Sequence, residues 1–158
     1  MSTDTRELIM ARLLVIMGTV SGITSNVRNR GLMQVEARPA QVLLDGDEEA
    51  LLTVNNQRLK ALMGLMAPQI MSARPQIFYL PKEKRPTNNI PANIGAEANA
   101  WRIDILDKIW TDVELAELLG SNGSMVYNGC ETDMKSGSAM SGEIRLDFTI
   151  NYLLQPTA

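Results

Sequence analysis

An α+β fold is what this chain predicts: a mostly antiparallel sheet with two main helices packed on one face and long exposed loops. Three observations carry that expectation. Ile144, Leu146, Phe148, Ile150, Tyr152 and Leu154 take every second position of the last extended run, and Glu143, Arg145, Asp147, Thr149 and Asn151 fill the gaps. Such alternation marks a strand with one buried and one wet face, because side chains point to opposite sides with period two. Two stretches, one near the N-terminus and one over 96–111, repeat their apolar residues at helical spacing instead. Glycines and prolines punctuate the short apolar runs, which gives the order α, several β, α, α, β-hairpin.

Taken in order, Asp4 followed three residues on by Glu7 is a capping-box-like start for a helix running to about Val20. Ile9, Leu13, Ile16 and Val20 mark its inner face, and Met10, Leu14 and Met17 widen it until only a strip through Thr5, Arg12 and Thr19 is polar. A helix this apolar is covered either by its own sheet or by a neighbouring chain. Thr24 to Arg30 reads as a strand, and Val35 begins another approach to the sheet. Ala37-Arg38-Pro39-Ala40-Gln41-Val42-Leu43-Leu44-Asp45-Gly46 is a short apolar strand closed by an Asp-Gly turn, and a similar phrase recurs from Ala73 to Pro81. Proline donates no ladder hydrogen bond, so Pro39 and Pro75 are expected to open their strands or lie on an edge.

The span 47–71 admits two readings. Leu59, Leu62, Met63 and Met66 fall at helical spacing, so it is either an amphipathic helix or a methionine-rich arm that packs on another chain. Residues 81–95, with three prolines and with Lys82, Lys84 and Arg85, show no periodicity and read as a long exposed loop of the kind ordered by a partner. Ala96 to Thr111 forms the second helix, with Ala98, Trp101, Ile105 and Ile109 on one stripe and Glu97, Asp104, Lys108 and Thr111 turned away. Asp112 then caps a short helix that stops at Leu119-Gly120. Asn122-Gly123 is a tight turn, Met125 to Tyr127 a brief strand, and Lys135 to Gly142 a hairpin loop before the final strand.

The 158 residues suit one domain spanning 1–158, with 45% hydrophobic and 21% charged residues, ordinary globular values. A net charge of −3, from 18 acidic and 15 basic residues, argues against a protein that wraps nucleic acid through a basic surface. A lone Cys130 excludes an internal disulfide and suits assembly in the cytoplasm. Leu13 to Met17 is too short and too interrupted, by Arg12 and the preceding acids, to read as a secretory signal, and no run approaches a membrane span.

The chemistry-bearing residues are sparse. Without histidine, neither a Ser-His-Asp nor a Cys-His nucleophile system is available. Asp45, Asp47, Glu48 and Glu49 form an acidic turn without the spaced ligands of a calcium loop, and read as solvated rather than metal-binding. Gly120 to Ser124 lacks the Gly-Lys-Ser/Thr ending of a phosphate loop. Arg28 and Arg30, two apart on one strand face, are candidates for contact with phosphate or with an acidic neighbour subunit. No catalytic residue, metal ligand or cofactor site emerges; the candidate subunit or tube interface comprises Arg28, Arg30, Asp45, Asp47, Glu48, Met63, Met66, Lys82, Lys84 and Arg85.

A resemblance adds to this reading. Trp101-Arg102-Ile103-Asp104-Ile105-Leu106 with Ile109, Asp112, Leu115, Leu118 and Leu119-Gly120, then Asn122-Gly123, Tyr127-Asn128-Gly129-Cys130-Glu131-Thr132-Asp133, and Met140-Ser141-Gly142-Glu143-Ile144 through Tyr152, resemble the C-terminal half of tailed-bacteriophage tail terminator or tail-completion proteins. The leading helix, Arg38-Pro39 and Leu43-Leu44-Asp45-Gly46-Asp47-Glu48 match more loosely, and the likeness covers about two thirds of the chain. It implies a structural, non-enzymatic virion protein of the tail or neck, assembled in the host cytoplasm as a ring, commonly a hexamer. Such a ring sits on the head-proximal end of the tail tube, stops polymerisation and joins the head-side neck or connector protein. Genomic DNA passes through its lumen without specific binding, and no membrane takes part. A head-side neck adaptor or minor tail protein shares much of the pattern, and a small carboxylate-based enzyme using Cys130 is the reading from another class.

Overall fold

The strongest sequence signal becomes the spine of the molecule. In the computed structural model, which describes residues 4–31, 35, 37–51, 69–82, 94–121, 123–135 and 141–154, the alternating run is strand β7, Ser141–Leu154. Ile144, Leu146, Phe148, Ile150 and Tyr152 are at most 1% exposed, and Leu154 is half-buried at the frayed end. Each such side chain removed from water is worth about 1.5–3 kcal/mol, so this one strand fixes the register of everything beside it.

The other strands are β1 (Ser25–Arg28), β2 (Ala40–Leu44), β3 (Glu48–Ala50), β4 (Gln69–Ala73), β5 (Gln76–Leu80) and β6 (Ser124–Lys135). All seven belong to one sheet, antiparallel except for β1 beside β2. β4 and β5 lie end to end along the same side of β7: Gln69 faces Leu154, Ala73 faces Ile150, Gln76 faces Asp147 and Tyr79 faces Ile144, without slippage. Arg74 and Pro75 interrupt them, and the Pro75 carbonyl still accepts from the Phe148 N–H. Pro75 thus opens β5 and Pro39 precedes β2, as a residue with no donor requires.

β2 and β3 form a second broken line outside the first, with β2 on β5 and β3 on β4. Their break, Asp45-Gly46-Asp47, puts three residues opposite two, and Gly46 at φ 72° presses its backbone on Arg74, where an added Cβ would lie 2.0 Å from the carbonyl oxygen. The Asp-Gly pair predicted as a turn is this crease, and the acidic stretch beyond it is an edge strand rather than a solvated turn. β6 flanks the other side of β7 along almost its whole length, with a bulge between Tyr127 and Gly129. The brief strand expected at Met125 to Tyr127 is therefore only the start of a 12-residue element.

Three helices cover one face, as the fold class requires: α1 (Thr5–Met17), α2 (Gly95–Thr111) and the short α3 (Val113–Leu119). Ile9, Leu13, Ile16 and Met17 of α1 and Trp101, Ile105 and Ile109 of α2 join Leu43, Ile77, Leu146 and Phe148 in one core. Asp4 caps α1 through the Arg6 N–H at 3.0 Å. Glu7, however, does not complete a capping box; its carboxylate is taken by Arg28 of β1. Nor is α1 buried all round, since Leu8 is 41% and Val15 54% exposed. Behind the sheet, Val35, Ala40, Val42, Phe78 and Leu80 form a smaller core of their own. Among the described residues no helix is long and apolar enough to cross a membrane.

Candidate assembly surface

The predicted interface residues separate in the structure. Arg28, Asp45 and Glu48 converge at the crease, while Arg30, Asp47 and Lys82 are exposed around it. Met63, Met66, Lys84 and Arg85 lie outside the described residues, as do most of the segments 47–71 and 81–95. Arg28 is the hub. Its guanidinium donates to Asp45 at 2.8 and 2.6 Å and to both Glu7 oxygens at 2.8 Å, a two-sided bidentate grip. The Asp45 N–H donates to Asn29 Oδ1 at 3.0 Å, with Asn29 at φ 52° folding back to reach it.

The neighbours are paired the same way. Arg6 donates to the Gly46 carbonyl and lies 3.8 Å from Glu48, whose carboxylate also accepts from the Tyr152 hydroxyl. Arg74 reaches Glu49 at 3.3 Å, and the Asp47 carbonyl accepts from the Arg74 N–H. Hydrogen bonds from Arg28 hold the Asp45 and Glu7 carboxyls below the usual carboxylate range, and the same bonds hold the Arg28 guanidinium in its charged form. This cluster ties α1, β1 and the crease within one chain. Of the acidic stretch, Asp47 alone has no side-chain bond or ion pair among the described residues.

Two further constellations were not singled out in the sequence. Gln41, fully buried in β2, donates to the Met17 carbonyl at 2.7 Å and accepts from Trp101 Nε1 at 2.7 Å. Trp101 stacks on Tyr79 at 4.9 Å, and the Tyr79 hydroxyl donates to Glu97 at 2.9 Å, so Glu97 is not turned away as its helical position implied. Burial first and Glu97 second raise the Tyr79 pKa. The signal was a lone amide inside the apolar phrase Ala40-Gln41-Val42-Leu43. Arg12 likewise grips Asp112 at 2.9 and 2.6 Å, and Asp112 caps α3 through the Leu115 N–H at 2.9 Å.

The surface left open lies on the other side of the sheet's spine. A cavity of about 150 Å³ lined by Trp110, Leu115, Leu119, Met125 and Phe148 sits between α2, α3 and β6. Trp110, Val113 and Val126 around it are 59%, 69% and 51% exposed. Its only titratable lining group, Asp112, is engaged by Arg12. Cys130 is exposed on β6, and among the described residues no group of three or more Cys, Asp or Glu side chains is arranged to hold a metal. Comparison with protein-family models and with curated proteins gives no match to this chain.

Proposed function

We propose that this chain is a structural virion protein that assembles as a ring at the head-proximal end of a phage tail tube, ending tube growth and presenting the surface to which the head joins. The observation that carries the reading is the block α2–α3–β6–β7, which folds in the order and spacing that the resemblance over Trp101 to Tyr152 implies. Supporting it is where open apolar surface remains: at the sheet edge and the helix ends, not in a cleft with converging titratable groups. In this reading the partners are further copies of the chain, probably not more than a single ring's worth; the tail tube protein on one face; and the head-side connector on the other.

Negative-stain electron microscopy of the purified chain, alone and mixed with tail tubes, tests the proposal. Rings capping one end of the tubes are expected. Particles in which the chain maps to the head side of the neck would replace this reading with that of an adaptor, and a strictly monomeric subunit inside an assembled particle would end it.

A further inference from the structure

Resting on the ring reading above, we propose that the free edge of β6 receives the free edge of β1 from a second copy of this chain, so that one sheet continues across the subunit boundary. β6 runs for 12 residues, roughly twice a usual strand, and among the described residues it pairs only with β7. An antiparallel strand bonded on one side points alternate N–H and C=O groups outward, a ready template for another strand. Its first run, Ser124 to Tyr127, carries neither charge nor proline, the usual protections of an exposed edge. Apolar side chains border it, Val126 on the outer face and Trp110 against Tyr127 on the helix face.

The occupant follows from charge. β1 closes the opposite end of the same sheet and pairs only with β2. Arg28, Glu131 and Arg145 are already paired within the chain. Arg30 just beyond β1 and Asp133 on β6 have no opposite charge within ion-pair distance among the described residues. Two copies meeting β6 to β6 would bring four carboxylates, Glu131 and Asp133 of each, along one seam, where like charges repel. β6 against β1 sets Asp133 near Arg30 instead. Because the two edges differ, the contact is heterologous, the kind that closes into rings rather than two-fold dimers.

Hydrogen–deuterium exchange by mass spectrometry on the full chain, compared between its monomeric and assembled states, reads the pairing directly. The expected result is slowed exchange in the assembly for peptides covering 124–135 and 24–30 together. Arg30→Glu and Asp133→Lys, both on exposed side chains, are each expected to raise the concentration for half-assembly about tenfold, and the double reversal to restore it. Thermal unfolding of the monomers should be unchanged. Assembly with β6 peptides exchanging as fast as in the monomer, or single reversals that assemble like the parent, would overturn the edge pairing while leaving the ring intact. A chain that stays monomeric at every concentration also overturns it, and the ring reading is then decided separately by micrographs of capped tubes.

Discussion

Gln41 holds Met17 of α1 and Trp101 of α2 to β2 through a single buried amide, so its removal strands two polar partners that water cannot reach. Gln41→Leu is expected to lower the unfolding free energy by about 1–3 kcal/mol despite the better apolar match, as read from the urea midpoint. The carboxylates at the crease give a pH signature. Glu7 and Asp45 have folded pKa values below their unfolded ones, so their contribution is complete at neutral pH and is lost as pH falls through the folded values, from about pH 4 downward. Arg28→Met removes the cause, and urea midpoints of that variant should fall less steeply between about pH 5 and pH 2 than those of the parent. A parallel decline in both proteins would show that the cluster contributes nothing. Sequence alone places Arg28 and Asp45 as charged surface candidates but does not join them, because they meet only after β1 and β2 have paired.

Elements were legible in proportion to how one-sided their surroundings are. β7 and α2 each face a core on one side and water on the other, so alternation and the Trp101-Ile105-Ile109 stripe reveal them. Asp112 and Gly120 mark α3 because capping depends on local backbone groups. Residues 128–135 of β6 are wet on both faces and β3 is Glu-Glu-Ala, so neither carries a period to read. At the crease, the demand on Gly46 is steric as well as conformational. Gly46→Ala should cost clearly more than Gly22→Ala, where φ is 78° but nothing lies within 4 Å of the added methyl and only the about 1–2 kcal/mol of left-handed strain applies. Equal losses in thermal denaturation would mean that the backbone at Arg74 gives way freely. At the helix junction, Asp112→Ala removes both the α3 cap and the Arg12 grip, and a loss of at least about 1 kcal/mol is expected.

For the molecule as a whole, the intrachain pairing at the crease changes which acidic residue is available to a DNA channel. Glu48 is committed to Tyr152 and Arg6, so reversing it would disturb the sheet, whereas Asp47 is exposed and unpaired. Asp47→Lys in a ring should slow DNA ejection from intact particles if this corner faces the lumen, since each added cation gains counterion-release affinity for phosphate. Unchanged ejection kinetics would place the corner elsewhere. Deleting residues 83–93 is expected to spare monomer folding, followed by circular dichroism, while impairing assembly; an unfolded deletion variant would make that segment part of the chain's own scaffold.

The chain's two tryptophans sit in opposite environments, Trp101 at 5% exposure stacked on Tyr79 and Trp110 at 59% beside the open strand. Their light emission is therefore divided between two events. In a Trp110→Phe protein the remaining blue-shifted fluorescence reports only whether the core is intact. In the parent chain the red-shifted share belongs to Trp110, and its quenching by iodide should vanish on association if β6 is where copies meet. One cuvette thus separates a subunit that has come apart from a ring that has not yet closed.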